Sequence, residues 1–275
     1  MVLITGASSG IGAAVAVECA RRGADVVLVA RRVTRLEDIA RQVRALGRQA
    51  LVARGDVTTR SDLPHAVALA RERFRRIDVV VANAGFEVTG SFDELTLADF
   101  RRQFETNIFG VLRTLYSTLD DLKRARGRLA LTGSMLGHVA LPGTSAYSMS
   151  KFAVRALAQA LRFEVARHGI SVTLISPGNI ATEIRRVDNH DVLHPDAKDP
   201  IPRWLQISPE QAARAIVRAL ISRRAECVLT PLAKLVVTTE RVAPSLVTGA
   251  IKLGHIQGRH EPRTVKPASA AARSR

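Results

Sequence analysis

Cysteine, aromatic residues and lysine are all scarce in this chain, and each scarcity narrows what the protein can be. The 275 residues include two cysteines, Cys19 and Cys227, far apart in sequence. They form neither a disulfide framework nor a metal-ligand spacing, which fits a reducing compartment. Cys19 falls on the apolar side of a predicted helix and is expected in the core. Only eleven residues are aromatic, and they do not alternate with basic residues as a nucleic-acid stacking platform requires. Acids are outnumbered 25 to 41 by Lys and Arg, leaving a formal net charge of +16. The arginines are spread over every predicted helix, so the charge reads as a basic solvated surface and nucleic acid is not an expected partner. No apolar run reaches bilayer-spanning length. Nothing resembling a basic-then-apolar leader precedes Val2-Leu-Ile-Thr, so a cytoplasmic location is expected.

What the chain does have is alternation. Short β-rich runs occur at 2–5, 25–30, 49–55, 77–83, 128–133, 170–176 and 226–230, and helical periodicity fills 11–22, 33–46, 61–74, 97–124, 146–168 and 209–222. Almost wholly apolar strands between amphipathic helices predict a parallel sheet covered on both faces. The expected fold is therefore α/β, a Rossmann-type doubly wound parallel sheet of about seven strands. Residues 1–230 are expected to form one catalytic domain.

The first strand runs directly into Thr5-Gly6-Ala7-Ser8-Ser9-Gly10-Ile11-Gly12, which opens a helix. Glycines here allow a tight turn and close approach to a pyrophosphate, with helix N-terminal amides facing the anion. At the end of the second strand, where a carboxylate would take the ribose 2′-hydroxyl of NAD, the chain carries Ala30-Arg31-Arg32. Two guanidiniums and no acid favour the 2′-phosphate of NADP(H), with NAD(H) the lesser alternative. Asp56-Val57 follows the third strand and could accept from an adenine amino group. Asn83-Ala84-Gly85 follows the fourth and leaves room for a ribose. Either could equally be a plain turn or cap.

Six lysines stand against 35 arginines, so a lysine four residues after one of two tyrosines is noticeable. On a helix, Tyr147 and Lys151 share a face about one turn apart. A nearby ammonium lowers the phenol's pKa toward a useful range. Ser134, at the end of an apolar strand, could hydrogen-bond a carbonyl oxygen beside that phenol. Asn107, inside a predicted helix over 97–124, is an unfavourable mid-helix residue, which fits either a specific hydrogen bond or a surface position. Pro177-Gly178-Asn179-Ile180-Ala181-Thr182 after the sixth strand could hold a nicotinamide carboxamide, although Pro-Gly after a strand is commonly a turn.

Taken together in this order and spacing, these residues resemble the short-chain dehydrogenase/reductase family over residues 1 to about 230. The resemblance implies Tyr147 as general acid/base, Lys151 as the group that lowers its pKa and holds the nicotinamide ribose, and Ser134 as the carbonyl-orienting hydroxyl. It implies that Asn107 holds a water linking Lys151 to solvent. It further implies a cofactor site over Gly6, Ser8, Ser9, Gly10, Ile11, Gly12, Arg31, Arg32, Asp56, Val57, Asn83, Ala84, Gly85, Tyr147, Lys151, Pro177, Gly178, Ile180 and Thr182, and a homodimer or homotetramer paired through the helices over 97–124 and 146–168. The first strand begins at Met1, without the few residues that usually precede it in the family.

The expected activity is reversible hydride transfer between NADPH and the carbonyl of an apolar ketone or aldehyde. Phe86, Met135, Leu136, Val139, Leu141 and Trp204 are the expected apolar walls. A 3-oxoacyl carrier-protein reductase is the rival within the class, since a basic surface suits an acidic carrier. A non-catalytic NADP(H)-sensing protein on the same fold is the rival outside it. Residues 183–207 occupy the position of the family's substrate lid. Asp188, His190, Asp191, His194 and Asp196 lie there, but no helix fixes their spacing and no metal is expected. The apolar segment over 231–254 reads as two short helices that pack on the pocket, on a partner or on an anionic membrane surface. Residues 255–275 read as a basic disordered tail.

Overall fold

A computed structural model describes residues 1–254; the expected disordered tail over 255–275 lies outside the described residues. Strand β1, Val2–Thr5, is buried along its whole length, as is β2, Val26–Ala30. The remaining strands are β3 (Ala50–Arg54), β4 (Val79–Ala82), β5 (Arg128–Thr132), β6 (Ser171–Ser176) and β7 (Glu226–Val228). They form one parallel sheet in the order β3-β2-β1-β4-β5-β6-β7. Val2 pairs with Val26 on one side and with Val79 on the other. Strands buried on both faces can be apolar at every position, which is why no in–out alternation marks them.

Helices cover both faces. Val15 of α1 (Gly10–Arg21), Leu36 of α2 (Val33–Ala45) and Ile216 of α7 (Pro209–Ile221) pack with Ile4 and Leu28 into one core layer. Ala66 of α3 (Asp62–Phe74), Leu115 of α5 (Gly110–Ala125) and Val154 of α6 (Ser145–Glu164) pack with Leu3 and Leu129 into the other. Cys19 is buried in the first layer, and desolvation pushes its thiol up to about 12. It is an inert core residue, as its place on the helix predicted.

The order of the strands decides where a ligand can sit. The chain steps outward from β1 through β2 to β3, then returns to β4 on the other side of β1. The crevice of a doubly wound sheet opens outside the strand C-termini at that reversal. The turns after β1, β2, β4, β5 and β6 all meet there.

Two elements depart from the sequence reading. The helix expected over 97–124 is α4 (Leu97–Phe104), a π-helical turn (Glu105–Phe109) and α5. The π-turn joins α4 and α5 end to end without a loop, so a coarse helical reading of the residues spans all three as one helix. The helix expected over 146–168 ends at Glu164 and tightens to a 3-10 turn at Ala166–His168 before Gly169 takes φ +71°.

The segment after β7 forms α8 (Pro231–Val242) and α9 (Pro244–Leu253), the two short helices expected there. Ala233 and Val237 of α8 are buried. No helix among the described residues is long and apolar enough to cross a membrane.

Candidate active site

The crevice is a cavity of about 400 Å³. Every residue nominated from the sequence as catalytic or cofactor-binding lines it except Gly12 and Asn107, which stand behind its wall.

The glycine turn is shaped by close approach. Gly6 has φ +66°, and a Cβ there would lie 2.8 Å from Ala84 Cα. A Cβ on Gly12 would lie 2.4 Å from Gly6 O and 2.6 Å from Asn83 Nδ2. Neither position accepts a side chain without moving backbone. Asn83 locks this turn to β4: its Nδ2 donates to Thr5 O at 3.1 Å, and its own N–H donates to Thr5 Oγ1 at 3.1 Å. The Asn83 side chain therefore shapes the cavity rather than simply leaving space in it. Ser9 adopts an extended backbone before α1 without capping it by its side chain. Its hydroxyl instead accepts from Arg32 Nη2 at 2.8 Å, and Ser8 Oγ accepts from the same atom at 3.1 Å.

Asp56 serves its own turn. Its Oδ1 accepts from Thr58 N at 2.9 Å and from Thr58 Oγ1 at 2.8 Å. The plain-turn reading describes these bonds, although the residue also borders the cavity.

At the other end of the crevice, α6 begins at Ser145 and carries Tyr147 and Lys151 on one face, both buried. Lys151 Nζ donates to Thr132 O at 2.8 Å and lies 5.5 Å from the centroid of the Tyr147 ring. Burial lowers the Lys151 ammonium to about 8, with the charge of Glu87 pulling the other way. Ser134 follows β5 and accepts from Leu136 N at 3.1 Å. Gly85 brings the β4 turn against this corner, since a Cβ there would lie 3.7 Å from Lys151 Nζ and 2.9 Å from Asn107 Oδ1.

Asn107 lies in the π-turn and is buried. Its Oδ1 accepts from Phe86 N at 3.2 Å, while Nδ2 donates to Phe86 O and to Ser150 Oγ, each at 3.1 Å. Gln103, one turn earlier, donates to Phe86 O at 2.9 Å and accepts from Val88 N at 2.6 Å. Together they hold the backbone that follows Gly85. Two amides four residues apart on the inward face of a helix were the available signal for Gln103, and sequence reasoning passed it over.

The expected apolar wall is partly corrected. Phe86, Met135 and Leu136 line the cavity; Val139 and Leu141 do not, and Trp204 stands 81% exposed. Ile184, Val187 and Leu193 take their place, along with the buried acid Glu87. Ile184, Val187 and Leu193 come from the segment expected to be a lid, whose irregular backbone carries no periodicity to show which residues face inward.

The segment expected to be a lid is tied at several points. Arg185 Nε donates to Asp199 at 2.7 Å and its Nη2 donates to Ile180 O at 2.7 Å. Asn189 exchanges two hydrogen bonds with the Thr89 backbone, at 2.9 and 2.8 Å. Asp188 accepts from the amides of His190 and Val192 and lies 2.8 Å from His194 Nε2. Thr182 sits over the start of α1, 3.1 Å from where a Gly10 Cβ would be.

With this geometry in hand, comparison with known proteins decides the family. A family model described as short chain dehydrogenase matches residues 1–193. The chain belongs to the short-chain dehydrogenase family. Short-chain dehydrogenases are NAD(P)-dependent oxidoreductases that act on CH–OH and C=O groups of small molecules. Among curated relatives, an 11-beta-hydroxysteroid dehydrogenase A of Sesamum indicum is 33% identical over 228 residues, covering 80% of this chain and 65% of that one. A glycine betaine reductase of Emericella nidulans is 36% identical over 221 residues, 80% of this chain but only 17% of that protein. Among solved structures, an alcohol dehydrogenase from Thermococcus sibiricus complexed with 5-hydroxy-NADP matches with a TM-score of 0.74 and 31% identity, covering 84% of this chain and 96% of that one. A Burkholderia phymatum short-chain dehydrogenase in complex with NAD shares the fold at a TM-score of 0.78 and 21% identity, covering 96% of this chain and 97% of that one.

The crevice suits the family's nicotinamide cofactor on its own geometry. The backbone approach at Gly6 leaves no room for a side chain on the cavity wall, and cations stand at both ends, Arg31 and Arg32 at one and Lys151 at the other.

Proposed function

We propose that this short-chain dehydrogenase is an NADPH-dependent carbonyl reductase, acting in reverse as a secondary alcohol dehydrogenase, on an apolar ketone or aldehyde. The observation that carries the reading is the burial of Lys151 beside the Tyr147 ring, in the same crevice as Ser134 and the glycine turn. A reduced nicotinamide bound there supplies the hydride. Ser134 orients the substrate carbonyl, Tyr147 delivers the proton to its oxygen, and Lys151 keeps the phenol acidic enough to do so. Asn107 is a positioning residue in this scheme: it fixes the backbone of Phe86 and, through it, the wall around Gly85 and Glu87. The NADPH preference rests on Arg31 and Arg32 at the end of β2, and the Thermococcus enzyme's NADP-type ligand supports it.

A second substrate reading has its own support. Glu87 is a buried acid in the cavity, and a relative is named for reducing glycine betaine, which carries a quaternary ammonium. A small cationic carbonyl compound would complement that carboxylate.

The test is fluorescence titration with NADPH and NADH, followed by a panel of apolar ketones, apolar aldehydes and ammonium-bearing aldehydes. Tyr147→Phe is expected to lower turnover by about 10²- to 10⁴-fold while NADPH affinity stays within about threefold, since only the transferable proton is removed. Full activity in that variant overturns the mechanism. Turnover confined to cationic substrates replaces the apolar reading with the second one.

A further inference from the structure

The guanidiniums assigned to a cofactor 2′-phosphate already face carboxylates, and those carboxylates come from the lid. Arg31 Nη1 lies 2.6 Å from Asp191 Oδ2. Arg35 Nη1 donates to Glu183 Oε2 at 2.5 Å, and Arg32 Nη1 stands 3.5 Å from the same oxygen. Asp56 is farther from Arg31, at 3.9 Å. About 160 residues of chain separate the partners of the first pair, so it is a tertiary contact and not a local turn.

The lid is built to present Asp191. The Asp188 carboxylate gathers the amides of His190 and Val192, and Asp191 takes φ +66° at the turn between them. Aspartate tolerates that left-handed backbone better than most residues. Two residues earlier, Asn189 pins the same turn to Thr89, just past the acid Glu87 at the substrate end of the crevice. One short segment therefore reaches Arg31 at one end of the cavity and is anchored, outside the cavity lining, two residues past Glu87 at the other. The pairing is felt electrostatically: burial opposes the charge on Arg31, but the hydrogen bond and attraction from Asp191 outweigh it and raise its pKa.

We propose that Asp191 is a lid latch that competes with the 2′-phosphate of the cofactor for Arg31, making it a specificity-determining residue contributed by the lid. The inference rests on the dinucleotide reading of the crevice. A phosphate monoester brings up to two negative charges and three acceptor oxygens and can engage a guanidinium bidentately. It displaces a single carboxylate where a neutral ribose hydroxyl does not. NADPH therefore exchanges partners with Asp191 and frees the lid turn, whereas NADH leaves the latch engaged. Glu183 plays the same part more weakly toward Arg32, since Arg35 holds it.

The experiment measures binding rather than turnover, on the full chain. Calorimetric titrations of 2′,5′-ADP and 5′-AMP, and fluorescence titrations of NADPH and NADH, are run on wild type, Asp191→Asn, Arg31→Ala and the double variant. Asparagine keeps the shape and the backbone preference of the turn while removing its charge. Loss of one half-exposed ion pair is expected to tighten NADPH and 2′,5′-ADP by about two- to fivefold. NADH and 5′-AMP should move less than the 2′-phosphorylated nucleotides do. In the Arg31→Ala background the gain should vanish. Unchanged or weaker 2′-phosphate binding in Asp191→Asn overturns the latch, as does equal tightening of NADH and NADPH, which would make Asp191 a plain obstruction. Failure of the wild type to bind either dinucleotide overturns the underlying cofactor reading as well.

Discussion

In the proposed mechanism, Lys151 is the residue on which the proton chemistry turns. Desolvation lowers its ammonium to about 8 against the pull of Glu87. The charge is therefore present at neutral pH and lost as pH rises through about 8. If that charge keeps Tyr147 acidic, kcat/KM for carbonyl reduction falls over the same interval. Glu87→Gln removes a field that raises the Lys151 pKa, so the falling limb should move to lower pH in that variant. A pH–rate profile checks it, and a limb that stays in place or moves upward contradicts the assignment. The two residues differ in legibility. Tyr147 and Lys151 are readable because a helix fixes what four residues of spacing means. An acid two positions past a glycine turn carries no such pattern; Glu87 is recognisable only once Phe86 and Val88 are seen packed into a small cluster with Ala146 while it borders the cavity.

Among the elements, the segment behind the site is held by a polar clamp that no motif announces. His138, just past the 3-10 turn Met135–Gly137, is buried with Nε2 3.1 Å from both Ser176 Oγ and Glu226 Oε1. Arg241 of α8 pairs with the other oxygen of Glu226. A Cβ on Gly178 would lie 2.2 Å from Thr230 Oγ1, so the turn after β6 and the start of α8 are in close contact. Burial raises the Glu226 pKa, but hydrogen bonds from His138 and Arg241 outweigh it and bring the carboxyl down to about 2. A depressed carboxyl stabilises the fold above its unfolded pKa, near 4.5, and that stabilisation is lost as pH falls toward 2. Glu226→Gln should lower stability by about 2 kcal/mol at neutral pH, typical of a hydrogen bond to a charged group. Urea unfolding of both proteins should show the gap narrowing between about pH 4.5 and 2. A gap that is constant through that window would remove Glu226's charge from the account. The π-turn at Asn107 teaches the same lesson: the sequence left a hydrogen bond and a surface position equally open, and the partners at Phe86 and Ser150 that decide it are supplied by segments about 20 and 40 residues away.

For the whole molecule, the surface of α5 and α6 carries Tyr116 and Phe163, 80% and 79% exposed. Large apolar side chains left in water on the two longest helices are what a self-association surface needs. Light scattering of the full chain should give the mass of a dimer or tetramer, and Tyr116→Arg with Phe163→Arg should shift it to a smaller species. A monomeric wild type at tens of micromolar would refute the pairing expected through these helices.

Local rules determined a good deal of this protein from sequence alone. Strand and helix periodicity, the glycine turn, the two arginines at the end of β2 and the Tyr147–Lys151 spacing all depend on neighbours within a few residues, so the chain states them directly. The expectation of a parallel sheet of about seven strands follows from that local information, whereas the full list of residues around the crevice came with the family resemblance. What tertiary structure alone decided are the long-range pairings: Asp191 on Arg31, Glu183 on Arg35, Glu226 on His138, and the replacement of Trp204 by Ile184, Val187 and Leu193 in the cavity wall. These involve irregular backbone, where no period relates sequence position to direction. They also join charges whose meeting depends on how the sheet brings distant turns together.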